Sequence, residues 1–557
     1  MFPAPAANRR RSFKGGPILM TIDALGRRVR QSVSPQQWIA WLTCVLTGYV
    51  VHLFAFTNLI PNSDGLSRMY DTQQMTISGR WMLHFASYFN DFTQMPAVIA
   101  AVALFFLGAA AALCVGLLGL RSRVLAGLTG AVLAAFPCLG YTFLYLFTAS
   151  AYCIAIFLAV LAVVLARRAL EGRFAPLPFL GAALALACAM GIYQAYAAVA
   201  ISLALLLVLA RTMDPESDFR GTLTFGLGLV GFLALGAALY YGILLVFLKV
   251  KGLTLLSYLG MDAASSGYPF ARLPGLVLAA YRQVIAFFFL PGAANAFGNR
   301  WFVLCSLIAA VLGLLAFLRV YLPLNREVWR PLGALLLLAL LPLGMDFMQI
   351  LSPYSLPTPL MKYAFVCLYL ALLLLLDRGE QTAAPAPRLG TGLSLGCLAW
   401  AALLLVVFLN TNNLLYTASA QAHRATESYL TRLYARVEDC PDYAPGMEVV
   451  IIGAIPADQI AQPLDSLLQV EHYSVPYGVV PTLNKHIYYY LQDWLNLPVE
   501  EPNEAAMLAV SRSAAFRAMP LYPAQGSVQV LDGRAVVKLQ SRYTPKSDYE
   551  LAYENRR

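Results

Sequence analysis

The 557-residue chain is 59% hydrophobic and only 12% charged, with a mean hydropathy of +0.65. That composition excludes an ordinary soluble domain and points to an all-α polytopic membrane protein. The formal charge of +10 would suit a nucleic-acid partner, but the basic residues cluster in short loops between apolar runs, so no nucleic acid is called for.

Residues 1–36 carry Arg9, Arg10, Arg11, Lys14, Arg27, Arg28 and Arg30 ahead of the first apolar run, which places this end in the cytoplasm by the positive-inside rule. No small-residue cleavage site follows, so the segment reads as retained. The first run, Trp38 to Ile60, is uncharged and long enough to cross a bilayer as a helix. Counting each further run as one crossing gives eleven spans, near 37–60, 96–119, 124–146, 149–166, 176–193, 195–211, 221–248, 301–322, 331–350, 361–377 and 392–410. Every loop that this path assigns to the cytoplasm contains at least two arginines, including Arg121 with Arg123, Arg167 with Arg168, and Arg378 with Arg388.

The path leaves two large outward loops, 61–95 and 249–300. The first, PNSDGLSRMYDTQQMTISGRWM, sets Asp64, Asp71, Arg68, Arg80 and Trp81 directly after the first span. Asp64 before a glycine is a turn signature. The same carboxylate can also take a proton from an attacking hydroxyl, while a guanidinium such as Arg80 holds a phosphate leaving group. In the second loop, Lys249, Lys251, Arg272 and Arg282 could attract phosphorylated lipid. Its apolar part is broken by Arg282 and bounded by Pro274 and Pro291, which favours an interfacial or re-entrant helix over a twelfth span.

Gly191-Ile192-Tyr193-Gln194-Ala195-Tyr196 forms the tight outer turn between the fifth and sixth spans. An interfacial aromatic belt accounts for Tyr193 and Tyr196, whereas Gln194 could satisfy a sugar hydroxyl or the backbone of another loop. The ninth span ends with Asp346 and Gln349, and Lys362 opens the tenth. A carboxylate within a span is expensive and calls for a cavity or a partner, here Lys362 or Arg282. Lys362 itself either snorkels to the interface or binds a lipid phosphate.

After Asn410 the continuous apolar runs stop, and residues 411–557 read as a small extracytoplasmic α/β domain. Residues 411–437 continue the last helix, 447–453 form a buried strand, 486–497 and 504–516 form amphipathic helices, and 527–539 form a hairpin turning at Asp532-Gly533.

Nine cysteines include no CxxC pair, and no HExxH, Walker A or Rossmann glycine pattern is present. No cofactor is certain. A divalent cation, Mg or Mn, held weakly by Asp64 or Asp71 together with a substrate phosphate is compatible with these residues.

Four motifs, NLIPNSDG (58–65), SGRWM (78–82), GIYQAY (191–196) and LMKYAF (360–365), together with YPAQGSVQVLDGRAVVKL (522–539) in the tail, resemble the Gtr type II glucosyltransferase family, which includes serotype-converting O-antigen glucosyltransferases. The resemblance implies a GT-C-like membrane fold in the bacterial inner membrane. It also implies a polyprenyl-phosphate-linked hexose donor, glucose by analogy, and a cell-envelope glycan acceptor such as O-antigen or teichoic acid. A donor synthase and a flippase would be the partners. Asp64 matches the usual catalytic base of the class, although Ser63 stands where many members carry a second acid. Inverting displacement would follow, with Asp71, Arg80, Trp81, Tyr193, Gln194, Arg282, Asp346 and Lys362 as substrate or lipid-phosphate contacts. A carrier of lipid-linked sugars and an envelope polysaccharide polymerase are the alternatives; a carrier would place its ionisable groups near the bilayer midplane.

Overall fold

A computed structural model describes residues 23, 26, 31–61, 75–88, 95–255, 269–291, 299–323, 327–353, 358–381, 387–455 and 484–545. The membrane part is a helical bundle. Helix α1 (Pro35–Thr57) starts at a capping box in which Ser34 Oγ accepts from Gln37 N and Gln37 Oε1 accepts from Ser34 N, with Pro35 in the first turn. It is followed by α2 (Pro96–Leu118), α3 (Arg123–Ala135), α4 (Pro137–Leu144), α5 (Leu146–Leu170), α6 (Pro176–Ile192), α7 (Ala197–Thr212) and α8 (Phe219–Lys251). Then come α9 (Leu273–Phe289), α10 (Arg300–Tyr321), α11 (Trp329–Met345), the short α12 (Phe347–Leu351), α13 (Cys367–Gln381) and α14 (Pro387–Glu438).

Helix α1 shows how such a bundle sorts its residues. Ala40, Cys44, Gly48, Val51 and Ala55 are buried against neighbouring helices, while Leu42, Leu46, Val50 and Leu53 form an exposed apolar stripe. An exposed leucine stripe beside a seam of small residues is the arrangement expected of a helix with lipid on one side and protein on the other. The seam permits close approach: a Cβ at Gly130 of α3 would run into the Ala40 carbonyl oxygen.

Among the described residues, eight helices are long and apolar enough to cross a membrane, or nine if α3 and α4 count as one bent span. Two more apolar helices, α6 and α11, have 17 residues each. These helices support a membrane protein, and the count of eleven crossings is not reproduced. Two differences from the sequence pattern stand out. The segment Phe270–Phe289, expected to be interfacial or re-entrant, meets the length and apolarity of a span. The run 124–146, expected to be one crossing, bends by 43° between α3 and α4.

Pro137 explains the bend, because it has no N–H for the carbonyl four residues back. The freed carbonyls find side chains from remote segments. Leu133 O accepts from Tyr363 OH at 2.9 Å, Ala134 O from His52 Nε2 at 2.8 Å, and Ala135 O from Asn412 Nδ2 at 2.9 Å. Since His52 Nε2 must donate to a carbonyl, its Nδ1 accepts from Tyr416 OH, 2.7 Å away. Backbone groups with no water to bond must be satisfied inside the protein, and here helices α1, α3 and α14 and the Tyr363 turn are tied together by that need.

Helix α14 runs for 52 residues and carries the chain out of the bundle. Beyond it, β1 (Val449–Ile452), α15 (Asn484–Asp493), α16 (Glu504–Arg512), α17 (Ala514–Ala518), β2 (Val528–Leu531) and β3 (Arg534–Lys538) form a second core with the end of α14. The sheet order is β1-β3-β2, with β1 parallel and β2 antiparallel to β3. Asp532 and Gly533 both take positive φ, 49° and 75°, as a tight two-residue hairpin turn requires. Buried Lys538 donates to the carbonyls of Phe516, Arg517 and Met519 at 2.7–3.0 Å and so closes the end of α17.

Candidate functional site

Asp64 and Asp71 lie outside the described residues. The structure does fix both ends of the loop that carries them. On the leading side, Phe56 near the end of α1 packs edge-on against Phe143 of α4, with ring centroids 4.8 Å apart. In turn α4 packs against the Pro359–Met361 turn that precedes Lys362.

On the returning side, a 3-10 turn (Met75–Ser78) leads into Gly79, Arg80 and Trp81. Gly79 has φ +83°, and a Cβ there would meet Gln194 Nε2 and Tyr240 OH at 2.5 Å each. Both the backbone conformation and the space therefore demand glycine. Gln194 Nε2 donates to Ser78 O and to Tyr240 OH, each at 2.9 Å, and Tyr240 OH donates to Gly79 O at 3.1 Å. Of the two tasks open to Gln194, this nitrogen performs the second, holding another loop's backbone. One residue further on, Met82 N donates to Gly191 O at 2.8 Å, and Trp81 packs on Gly191 so closely that a Cβ there would lie 2.6 Å from Trp81 Cε2. Trp81 is buried and stacked on Phe247.

Arg80 lies face-on over Tyr193, its Cζ 4.5 Å from the ring centroid. Tyr193 in turn stacks on Tyr152, 4.9 Å away with planes 13° apart. This corrects the reading of Tyr193 and Tyr196 as an aromatic belt. Both are buried, at 2% and 1% exposure, because the turn is folded inward beneath the Ser78–Trp81 segment. Tyr193 acts as the platform for a guanidinium.

The second half of the site comes from α11 to α13. Asp346 terminates α11 at 1% exposure, and its Oδ2 is buried with no hydrogen-bond partner among the described residues. Lys362 interacts electrostatically with Asp346, whereas Arg282 lies exposed on α9. Of the two cations considered for this carboxylate, Lys362 is the one brought to it. Its position is secured by the next residue, Tyr363, through the hydrogen bond to Leu133 O. Buried Gln349 is bonded through its side-chain amide to Gln283 of α9.

The two halves meet where the Gln194–Tyr196 turn packs against α12. One end of the bundle thus gathers Arg80, Trp81, Tyr193 and Gln194 beside Asp346 and Lys362, whereas Arg282 is exposed in the middle of α9. Gly79, Tyr152, Tyr240, Gln283 and Tyr363 are supporting residues that the sequence pattern did not single out. Only Gly79 and Tyr363 gave a signal, as members of the SGRWM and LMKYAF motifs. No group of three His, Cys, Asp or Glu suited to a metal ion occurs among the described residues.

No curated protein and no solved structure matches the chain significantly. A family model does, over residues 53–376, a stretch running from the end of α1 into the end of α13 and enclosing every residue of this site. On that match the chain belongs to the glucosyl transferase GtrII family.

Proposed function

We propose that the protein transfers glucose from a polyprenyl-phosphate-linked donor to a cell-envelope glycan on the extracytoplasmic face of the bacterial inner membrane. Membership of the family supports a glucosyl transfer activity, and the apolar helices support a membrane location. The observation that carries the finer reading is the convergence of Arg80, Lys362 and the buried Asp346 at the mouth from which the Asp64 loop departs. Two cations at one end of an apolar bundle suit a phosphate whose lipid tail lies among the helices.

In this reaction Asp64 removes the proton of an acceptor hydroxyl, whose oxygen attacks the anomeric carbon. The bond from that carbon to the lipid phosphate breaks, inverting the configuration, and the phosphate leaves with the electron pair. Arg80 and Lys362 offset the charge that develops on it. Trp81, Tyr193, Gln194 and Asp346 shape the surrounding site, and Asp71 and Arg282 are further contacts proposed for the substrate or its lipid phosphate. Asp346 and Lys362 lie at helix ends, which favours this reading over a carrier with ionisable groups at mid-span.

The test is transfer of labelled glucose from synthetic undecaprenyl-phosphate glucose to an envelope-glycan fraction by purified wild type and Asp64→Asn. Transfer that collapses in a folded mutant supports the scheme. Equal transfer by both removes Asp64 from the chemistry, and uptake of the lipid-linked sugar into proteoliposomes without transfer favours the carrier.

A further inference from the structure

A polar cavity of about 450 Å3 lies at the opposite end of α7 from the Gln194 turn. Helix α7 has 16 residues, so at 1.5 Å per residue the two sites are about 24 Å apart. The cavity is lined by Arg121, Arg167, Arg211 and Arg378, and on the acidic side by Glu171, Asp214 and Glu216.

Two of the arginines have local duties. Arg167 donates to Glu171 at 2.7 Å and to Leu117 O at 2.7 Å, and Arg378 donates to Leu118 O at 3.0 Å and to Gln381 Oε1 at 3.3 Å. They satisfy the carbonyls left open at the end of α2. Arg211 is different. Its guanidinium rests on the Phe225 ring, 4.4 Å from the centroid, and its Nε is buried with no acceptor among the described residues. The Arg121 side chain likewise makes no hydrogen bond among the described residues, although its main-chain N–H donates to Asp377 at 3.0 Å.

The nearby carboxylates are largely occupied. Glu171 is taken by Arg167, and Asp214 accepts from Glu216 N at 3.1 Å. Asp377, just behind the wall, accepts from Arg121 N, Ser122 N and Gln381 Nε2. What remains in the lining is the Glu216 carboxylate on one side and, on the other, donor capacity on the guanidinium groups of Arg211 and Arg121, which bind phosphate oxygens in a planar fork. Arginines placed only to orient a membrane protein need not line a cavity together and would not leave a donor buried without an acceptor.

We infer that this cavity binds a phosphate-bearing group, with Arg211 and Arg121 as its principal donors and Arg378 as a flanking charge. A volume in the range of small-molecule pockets leaves room for a body attached to the phosphate. An anionic lipid headgroup and a soluble phosphorylated compound share that chemistry.

The experiment measures binding of phosphatidylglycerol and, separately, of inorganic phosphate to the full-length protein in neutral detergent, by native mass spectrometry and by shift of the melting temperature. Saturable binding of either probe by wild type, weakened at least tenfold by Arg211→Gln and not by Arg168→Gln on the exposed side of α5, supports the site. Lipid binding alone assigns the headgroup, and phosphate binding assigns a free ligand. Should Arg211→Gln fail to fold, Arg121→Gln at the exposed rim carries the same comparison. Absence of saturable binding by wild type, or equal weakening by Arg168→Gln, overturns the inference.

Discussion

The Arg80 guanidinium sits 4.5 Å above the ring of Tyr193, on a platform braced from below by Tyr152. A cation held over an aromatic face at a partly desolvated site gains roughly 0.5–2 kcal/mol from the ring. If Arg80 meets the donor phosphate, Tyr193→Leu should lower kcat/KM for glucosyl transfer by roughly two- to thirtyfold, the kinetic equivalent of that energy. Tyr193→Phe, which keeps the ring, should stay within about twofold. Steady-state kinetics on both variants make the comparison, and equal losses would show that the hydroxyl rather than the ring matters.

Gly79 is constrained twice, by its positive φ and by Gln194 and Tyr240 packed against it. Gly79→Ala should therefore destabilise the loop by about 1–3 kcal/mol, the range for strained backbone. It should also lower transfer activity, because Arg80 follows directly. A melting temperature and an activity both equal to wild type would rule out this arrangement of the loop.

Lys362 is coupled electrostatically to buried Asp346 without a direct ion contact among the described residues, so losing the cation should cost less than the roughly 3–5 kcal/mol of a directly bonded buried pair. Lys362→Met should therefore destabilise the protein moderately, and Asp346→Asn in the same chain should restore part of the loss. Denaturation of the two single mutants and the double mutant in detergent reads the coupling directly. Simple additivity would mean that the two side chains act independently.

The Tyr363 hydroxyl is the donor assigned to the Leu133 carbonyl that Pro137 leaves open. Tyr363→Phe keeps the ring packing but strands that carbonyl, for a loss of about 1–3 kcal/mol. Lys362 is the neighbouring residue, so KM for the lipid-linked donor should rise as well. A thermal melt and a donor titration test the two effects separately.

In the tail, half-buried His423 bonds through Nδ1 to Tyr490 OH at 2.8 Å, and burial holds its pKa below the ordinary histidine value of 6.5. The unfolded chain then binds a proton more readily than the folded one as the pH falls through that value. The associated stability is present above pH 6.5 and is lost progressively below it. His423→Gln should flatten the dependence of tail stability on pH between 7 and 5, an interval of about two units around the ordinary histidine value. Hydrogen exchange of the amides in β1 and β3 monitors it.

What the sequence by itself determined was the part that depends on neighbours along the chain. Run length and hydropathy disclosed a membrane protein, the Asp-Gly pair marked the hairpin between β2 and β3, and four short motifs pointed to the family. Helix ends, turns and strands form from contacts within a few residues, so a linear reading reaches them. Tertiary structure decided the rest. Tyr193 is a buried platform rather than an interfacial anchor because a loop more than a hundred positions earlier in the chain folds over it. Lys362 rather than Arg282 is the cation coupled to Asp346 because Tyr363 is tied to a carbonyl that Pro137 freed on another helix. Hydropathy adds along the chain, but the partner of a buried charge is chosen by which remote backbone and side-chain groups remain to be satisfied once the helices have packed.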